Sequence, residues 1–262
     1  MPATDLISNL RRQLASAGPR RTLLHLFRQL RDRAFPPKPP IDPFDLRYGV
    51  DTSGLIDGRR LASGHVHDLH VHPYWATPPS LLAGALARWS ESLANTPYSA
   101  SDYTLIDIGC GKGRVVMLAS DYPFRRVVGV ELSPALAAIA QQNLVKWKQS
   151  PHLSNDLAVL HADALEVPFP ATPVLVYVFN PFDAHVTQLL LDRLQTLSLS
   201  RTTPIDFIYT RPEFAELFKL YPQMRLLWEG DVPFSAEDAA ADVFHGKAQG
   251  CCIYRLAASL VY

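Results

Sequence analysis

The 262-residue chain is long enough for one large α/β domain with a helical extension, and 48% apolar and 19% charged residues exclude global disorder. Lys plus Arg and Asp plus Glu number 25 each, so the formal net charge is zero. The charge is unevenly spread: residues 1–40 carry eight basic and two acidic side chains, net +6, and the remainder is net −6.

Residues 4–35 place apolar side chains at helical spacing (Leu6, Ile7, Leu10, Leu14, then Leu23, Leu24, Phe27, Leu30). Gly18 and Pro19 split them into two helices, the first with Thr4 as a cap. The extension reads as an Arg-rich face docked on the acidic body, with nucleic acid as a less favoured partner. The run Pro36-Pro37-Lys38-Pro39-Pro40 is a stiff linker and the best domain boundary. Residues 41–79 show no clear period and are expected to form an ordered loop region with one short strand. Helical spacing returns over 79–95.

From residue 101 the pattern changes. Strands are expected at Thr104–Asp107, Arg126–Leu132, Leu157–Ala162, Val174–Phe179, Ile205–Tyr209, Met224–Trp228 and Cys251–Leu256. Helices are expected to begin at Val115, at Ser133 (with Ser133 as N-cap and Pro134 at the first position), at His185, and over Glu213–Leu220. Apolar strands alternating with helices predict an α/β fold, a seven-stranded, mostly parallel, doubly wound sheet with an antiparallel last strand and the N-terminal helical extension. Residues 235–250 read as an insertion in the closing hairpin. The expected organisation is 1–40 as extension and linker, 41–100 as a loop-rich lid and entry helix, and 101–262 as the main domain.

The chain has three cysteines, Cys110, Cys251 and Cys252, two of them adjacent. That pattern does not make a disulfide framework and points to a reduced, cytoplasmic setting. No apolar run approaches the ~20 residues of a membrane span. Cys251 and Cys252 are expected on opposite faces of one strand, with one of them in the core.

The stretch Leu105-Ile106-Asp107-Ile108-Gly109-Cys110-Gly111-Lys112-Gly113-Arg114 turns sharply from strand to helix. Dinucleotide spacing fails, because the third glycine position falls on Arg114 or Val116, and the nucleotide-triphosphate loop fails too. What remains is D-x-G-x-G-x-G. A carboxylate beside the glycines repels a pyrophosphate and suits a ligand with an ammonium and a sulfonium. Gly129-Val130-Glu131-Leu132 closes the next strand with an acid 20 residues after Gly111, a place from which it can accept from ribose hydroxyls.

These residues resemble motif I and the following acidic motif of the class I, Rossmann-like, S-adenosyl-L-methionine-dependent methyltransferases. The resemblance covers about residues 100–260. It implies a cofactor site formed by Asp107, Gly109, Cys110, Gly111, Gly113, Glu131 and Leu132, with Asp163 and Ala164 at the adenine edge. It also implies that the segment after the fourth strand, Asn180-Pro181-Phe182, faces the transferred methyl. That segment resembles the N/D-P-P-F/Y signature of nitrogen methyltransferases, but lacks one Pro, which makes a lysine amine or another amine as plausible as a nucleobase. Asn180 can accept hydrogens from a target amine, and Phe182 can stack on a flat acceptor. The expectation is methyl transfer to an amine or amide nitrogen of a protein or small molecule; the alternatives are a nucleic-acid methyltransferase and a non-catalytic scaffold. Tyr74–Ser80 reads equally as a lid over the cofactor or as a helix start.

His65-Val66-His67-Asp68-Leu69-His70-Val71-His72 clusters four imidazoles. Its order differs from the H-x-H-x-D-H of metallo-hydrolases, so no metal is assigned. The reading is a polar loop beside the active site in which one histidine, or His185, serves as general base.

Overall fold

The structure is a computed structural model that describes residues 42–257. The two helices expected within 4–35 and the Pro-rich linker lie outside the described residues. No helix among the described residues is long and apolar enough to cross a membrane.

The main sheet has seven strands in the order β5-β4-β3-β6-β7-β9-β8. They are β3 (Thr104–Ile108), β4 (Arg126–Glu131), β5 (Leu157–His161), β6 (Val174–Phe179), β7 (Ile205–Thr210), β8 (Met224–Pro233) and β9 (Ala248–Leu256). The pairs from β5 through β7 are parallel, and β9 runs antiparallel to both β7 and β8. The last strand in the chain therefore lies inside the sheet, between β7 and β8. Every residue of β3 and β7 is buried, as strands covered on both faces must be, whereas the edge strands β5 and β8 mix buried with exposed positions.

Helices α2 (Pro79–Glu91), α3 (Arg114–Ala119) and α4 (Pro134–Trp147) pack one face of the sheet through Leu81, Val115 and Ala140; α5 (Ala184–Ser198) packs the other through Leu190 and Leu194. Cys251 belongs to the first core and Cys252 to the second, so both are core residues and not one as expected. All three thiols are free and buried.

The loop region before the sheet is more ordered than its composition suggests. It contains α1 (Pro43–Tyr48), capped by the Asp42 carboxylate on the Phe44 N–H at 2.9 Å, and two short strands, β1 (Leu55–Ile56) and β2 (Tyr74–Trp75), paired antiparallel. The closing hairpin is longer than expected. Pairing continues to Pro233 and Ala248 past a register shift between Leu226 and Trp228, through Glu229, Gly230 and Asp231, whose polarity suits an exposed edge. The insertion holds α6 (Ala236–Ala241), capped by Ser235. The short helix expected over Glu213–Leu220 is a 3₁₀ helix, Ala215–Leu220. Ser133 stands at the N-cap of α4, but its side chain makes no cap bond.

One buried ionic cluster ties these layers together. Asp206 on β7, with no exposed surface, accepts from Arg255 Nε and Nη2 on β9 (2.7 Å each), Trp89 Nε1 on α2 (2.8 Å) and the Tyr103 hydroxyl before β3 (3.0 Å). Removing the carboxylate strands a buried guanidinium. Asp206→Ala should therefore cost about 3–5 kcal/mol in urea unfolding, with Asp206→Asn less damaging. A loss within about 1 kcal/mol for Asp206→Ala would mean that the cluster does not hold the layers.

Candidate functional site

The strand order reverses at β3, which pairs with β4 on one side and with β6 on the other. A crevice opens beyond the carboxyl ends of strands at such a switch point. The glycine loop follows β3 there. Gly109 and Gly111 adopt left-handed φ of 74° and 55°. A Cβ on Gly111 would overlap the Tyr74 ring, and one on Gly109 would lie 2.7 Å from Pro181 Cβ. Only bare backbone leaves room for both neighbours.

Two carboxylates meet at this crevice. Glu131 accepts the N–H groups of Gly111 and Ser133, each at 2.8 Å. Burial raises its pKa, against the pull of those backbone bonds. Asp107 is buried, and its Oδ2 has no hydrogen-bond partner. Burial first, and then the charge of Glu131, push its carboxyl well above the usual range. The same two carboxyls, after burial, push the Cys110 thiol up.

A cavity is lined by Asp107, Gly109, Cys110, Glu131, Leu132, Asp163, Ala164, Pro181 and Phe182. Nine of the twelve residues singled out from sequence thus share one space. Gly111 lies beneath Tyr74, and Gly113 abuts Ala140 at the start of α3. Asn180 lines a second, adjoining cavity with Phe179, Arg211, Glu213 and Phe244. Tyr74, Trp75 and Thr77 line the first cavity, and Pro79 begins α2, so the Tyr74–Ser80 segment runs from the cavity wall into a helix start.

The histidine segment is zipped onto the Asn180-Pro181-Phe182 turn. Val71 forms a bridge with Phe182, His72 N–H donates to the Pro181 carbonyl (2.9 Å), and Asp183 N–H donates to the His70 carbonyl (3.0 Å). His67 Nδ1 lies 3.1 Å from Asp163 Oδ2, and His65 Nε2 lies 3.8 Å from the same oxygen. These three groups are close enough to hold a metal ion. However, His65 Nδ1 accepts from the His67 N–H at 3.3 Å, which puts the neutral ring's proton on Nε2, the atom a metal would need. His70 Nδ1 pairs with Asp183 at 2.7 Å and its ring lies against that of His185. His72 alone among the cluster lines both cavities.

Asn180 adopts a φ of 43°, a left-handed value that Asn tolerates. Its Oδ1 accepts from the Tyr209 hydroxyl at 2.7 Å, and its backbone carbonyl lies 2.9 Å from His72 Nδ1. Tyr209, Arg211 and Phe244 went unnoticed in the sequence. Tyr209 sits in an apolar strand and reads as core, and the other two lie on connections that carry no motif.

Residues 105–197 match the family model described as a methyltransferase domain. No curated protein matches the sequence. Among solved structures, the chain is similar to an RNA methyltransferase from Salinibacter ruber in complex with S-adenosyl-L-homocysteine (18% identity, 70% of this chain and 95% of that one, TM-score 0.44). It is also similar to the plantazolicin methyltransferase BpumL in complex with the same ligand (13%, 69% and 85%, TM-score 0.44) and to the [4+2]-cyclase SpnF (13%, 66% and 81%, TM-score 0.45). At these values the likenesses say nothing about the acceptor.

The first cavity fits S-adenosylmethionine on its own chemistry. An orphaned, buried carboxylate awaits an ammonium, and bare glycine backbone leaves space beside it. An ammonium next to Asp107 lowers a pKa that burial has raised, so binding at a pH below the raised value expels a proton. Titration calorimetry with S-adenosylhomocysteine should give enthalpies that differ between Tris and phosphate buffers in the sense of proton release. Asp107→Asn should abolish that difference. Equal enthalpies in the two buffers for wild type at a pH below the raised value would contradict the assignment.

Proposed function

Because this chain carries a class I, Rossmann-like methyltransferase domain that uses S-adenosyl-L-methionine, we propose that it methylates an amine or amide nitrogen of an acceptor bound in the second cavity. Bound in the first cavity, S-adenosylmethionine supplies a methyl group activated by a sulfonium. Asp107 holds its ammonium. Glu131, with both oxygens already fixed by backbone N–H groups, keeps lone pairs for ribose hydroxyls, and Asp163 with Ala164 meets the adenine.

The observation that carries this reading is the placement of His72. It lines both cavities, and its Nδ1 faces the Asn180 carbonyl. The Asn180 carbonyl at 2.9 Å favours the proton on Nδ1, whereas the Asn180 side-chain amide nitrogen, 3.2 Å from the same atom, favours it on Nε2; the shorter contact selects the first tautomer, in which Nε2 is free to take a proton. An alkylammonium must lose a proton before its nitrogen can attack, whereas a neutral amine loses one as the nitrogen–methyl bond forms and the sulfonium–methyl bond breaks; His72 is the base at hand for either. Asn180 Oδ1 spends one lone pair on Tyr209 and keeps the other to orient the acceptor N–H. Tyr74 and Trp75 exclude water from the junction. His70 and His185 contact each other, and neither lines the two cavities.

Saturating S-adenosylmethionine or S-adenosylhomocysteine at ~100 times its dissociation constant stabilises by about 2.7 kcal/mol, a rise of about 5–10 °C, and NAD should give none. With tritium-methyl S-adenosylmethionine and a cell extract, label should appear in the small-molecule or protein fraction and not in RNA. His72→Ala should lower incorporation by about 10²–10⁴-fold while S-adenosylhomocysteine affinity stays unchanged. Full turnover by His72→Ala would remove the base from the mechanism, and label confined to RNA would replace the acceptor class.

A further inference from the structure

Three non-glycine residues among the described ones adopt a positive φ: Asn180 (43°), Arg211 (52°) and His245 (57°). Asn180 and Arg211 both line the second cavity, and His245 directly follows Phe244, which lines it too. Asparagine visits this conformation cheaply, but arginine does not. Such backbone persists where its surroundings over-determine it, and it gathers at ligand sites. Arg211 is held there by its N–H on the Gly250 carbonyl and by its own carbonyl, which accepts from Glu213 N–H, both at 2.8 Å. The strained turn places the Arg211 guanidinium 5.6 Å from the centre of the Trp75 ring.

The cavity offers two kinds of recognition. Trp75 packs against Phe179 (5.1 Å between ring centres) and Phe244 (4.3 Å), which makes an aromatic wall. Phe244 is 55% exposed, an unusual state for so large an apolar ring. Arg60 also lines the cavity, and its guanidinium has no hydrogen-bond or ion-pair partner among the described residues. Two carboxylates line the cavity as well: Asp57 accepts the Arg59 N–H through Oδ1 at 2.9 Å and keeps its charge. Glu213 meets Arg211 at 3.0 Å in a pair of which both side chains are some two-fifths exposed, which a ligand anion can replace. The unpaired guanidinium of Arg60 and the exposed Arg211 pair, beside an aromatic wall, offer fork-shaped donors to the anionic group of a flat acceptor.

We propose that the second cavity is the acceptor site for an aromatic amine bearing an anionic group, a carboxylate or a phosphate. Its ring stacks among Trp75, Phe179 and Phe244, its anion meets Arg211 and Arg60, and its nitrogen faces His72. The assignment of the nitrogen rests on the methyl-transfer reading above, whereas the stacking and the anion contacts do not.

Calorimetric titration of the full chain, first with S-adenosylhomocysteine and then with para-aminobenzoate, para-aminophenyl phosphate or aniline, separates the two readings. At least one anionic probe should bind about tenfold or more tightly than aniline, and the tighter of the two identifies the anion. Arg60→Gln and Arg211→Gln should each weaken that probe about tenfold without changing S-adenosylhomocysteine affinity. Glu213→Gln should strengthen it by removing the competing carboxylate, and Phe244→Ala should weaken all three probes alike. Anionic probes that bind no better than aniline, or that ignore both arginine substitutions, overturn the proposal. A protein that binds S-adenosylhomocysteine and none of the three probes overturns it too, and leaves methyl transfer standing. Failure to bind S-adenosylhomocysteine, with the anionic probes still bound, instead sinks the methyl-transfer reading.

Discussion

Glu131, at the carboxyl end of β4, accepts the backbone N–H groups of Gly111 and Ser133. These two bonds tie the turn after β3 to the start of α4, and so fix the mouth of the cavity. They also offset part of the cost of burying a charge. Asp107, a few residues before Gly111, receives no such help, and its Oδ2 is left without a partner. The site therefore holds one carboxylate satisfied by the fold and another that burial leaves unpartnered and biases toward its neutral form; under the proposed reading an arriving ammonium would restore its charge and give a selection for a cation-bearing ligand over a pyrophosphate.

A glycine loop that also contains Lys112 and Arg114 would weaken this selection if both cations faced the ligand. The segment before the sheet takes them up. Lys112 donates to Asp51 (2.6 Å) and to the Ser53 carbonyl, and Arg114 donates to Asp42 (2.8 Å) and Thr52 (2.7 Å) while lying over the Phe44 ring. Asp45 binds Thr52 and Ser53 and holds that corner in shape; the hydrogen bonds lower its pKa despite burial. Asn143, buried on α4, bonds both the Asp51 backbone and the Lys112 carbonyl. The Tyr74 hydroxyl donates to the Thr52 carbonyl, so the ring that covers Gly111 is anchored by the same segment. Residues 42–53 thus act on the site without lining the cavity.

The second constraint is the short antiparallel contact between the histidine segment and the turn after β6. It fixes a different task for each imidazole: His67 on Asp163, His70 on Asp183, and His72 between the cavities. Four similar side chains in eight residues carry no local signal of which will line both cavities. The distinction comes from the partner each meets across more than 95 residues of chain.

The sequence by itself determined the sheet, its parallel majority, its antiparallel last strand and most of the first cavity. The physical reason is that strand burial, the glycine turn and the acids at Asp107, Glu131 and Asp163 are local: each follows from residues adjacent in the chain and from the two-residue or 3.6-residue period of their element. Only the tertiary structure decided that Asn180 faces a neighbouring cavity, that Tyr209 holds its amide, that both Cys251 and Cys252 are core, and that Arg211 and Phe244 come to Trp75. Those relations depend on the order in which strands stack and on the insertion of β9 between β7 and β8. Hydrophobic periodicity specifies which face of a strand is buried, but not which neighbour buries it, so an aromatic or an arginine at a strand end gains its role only when the sheet is assembled.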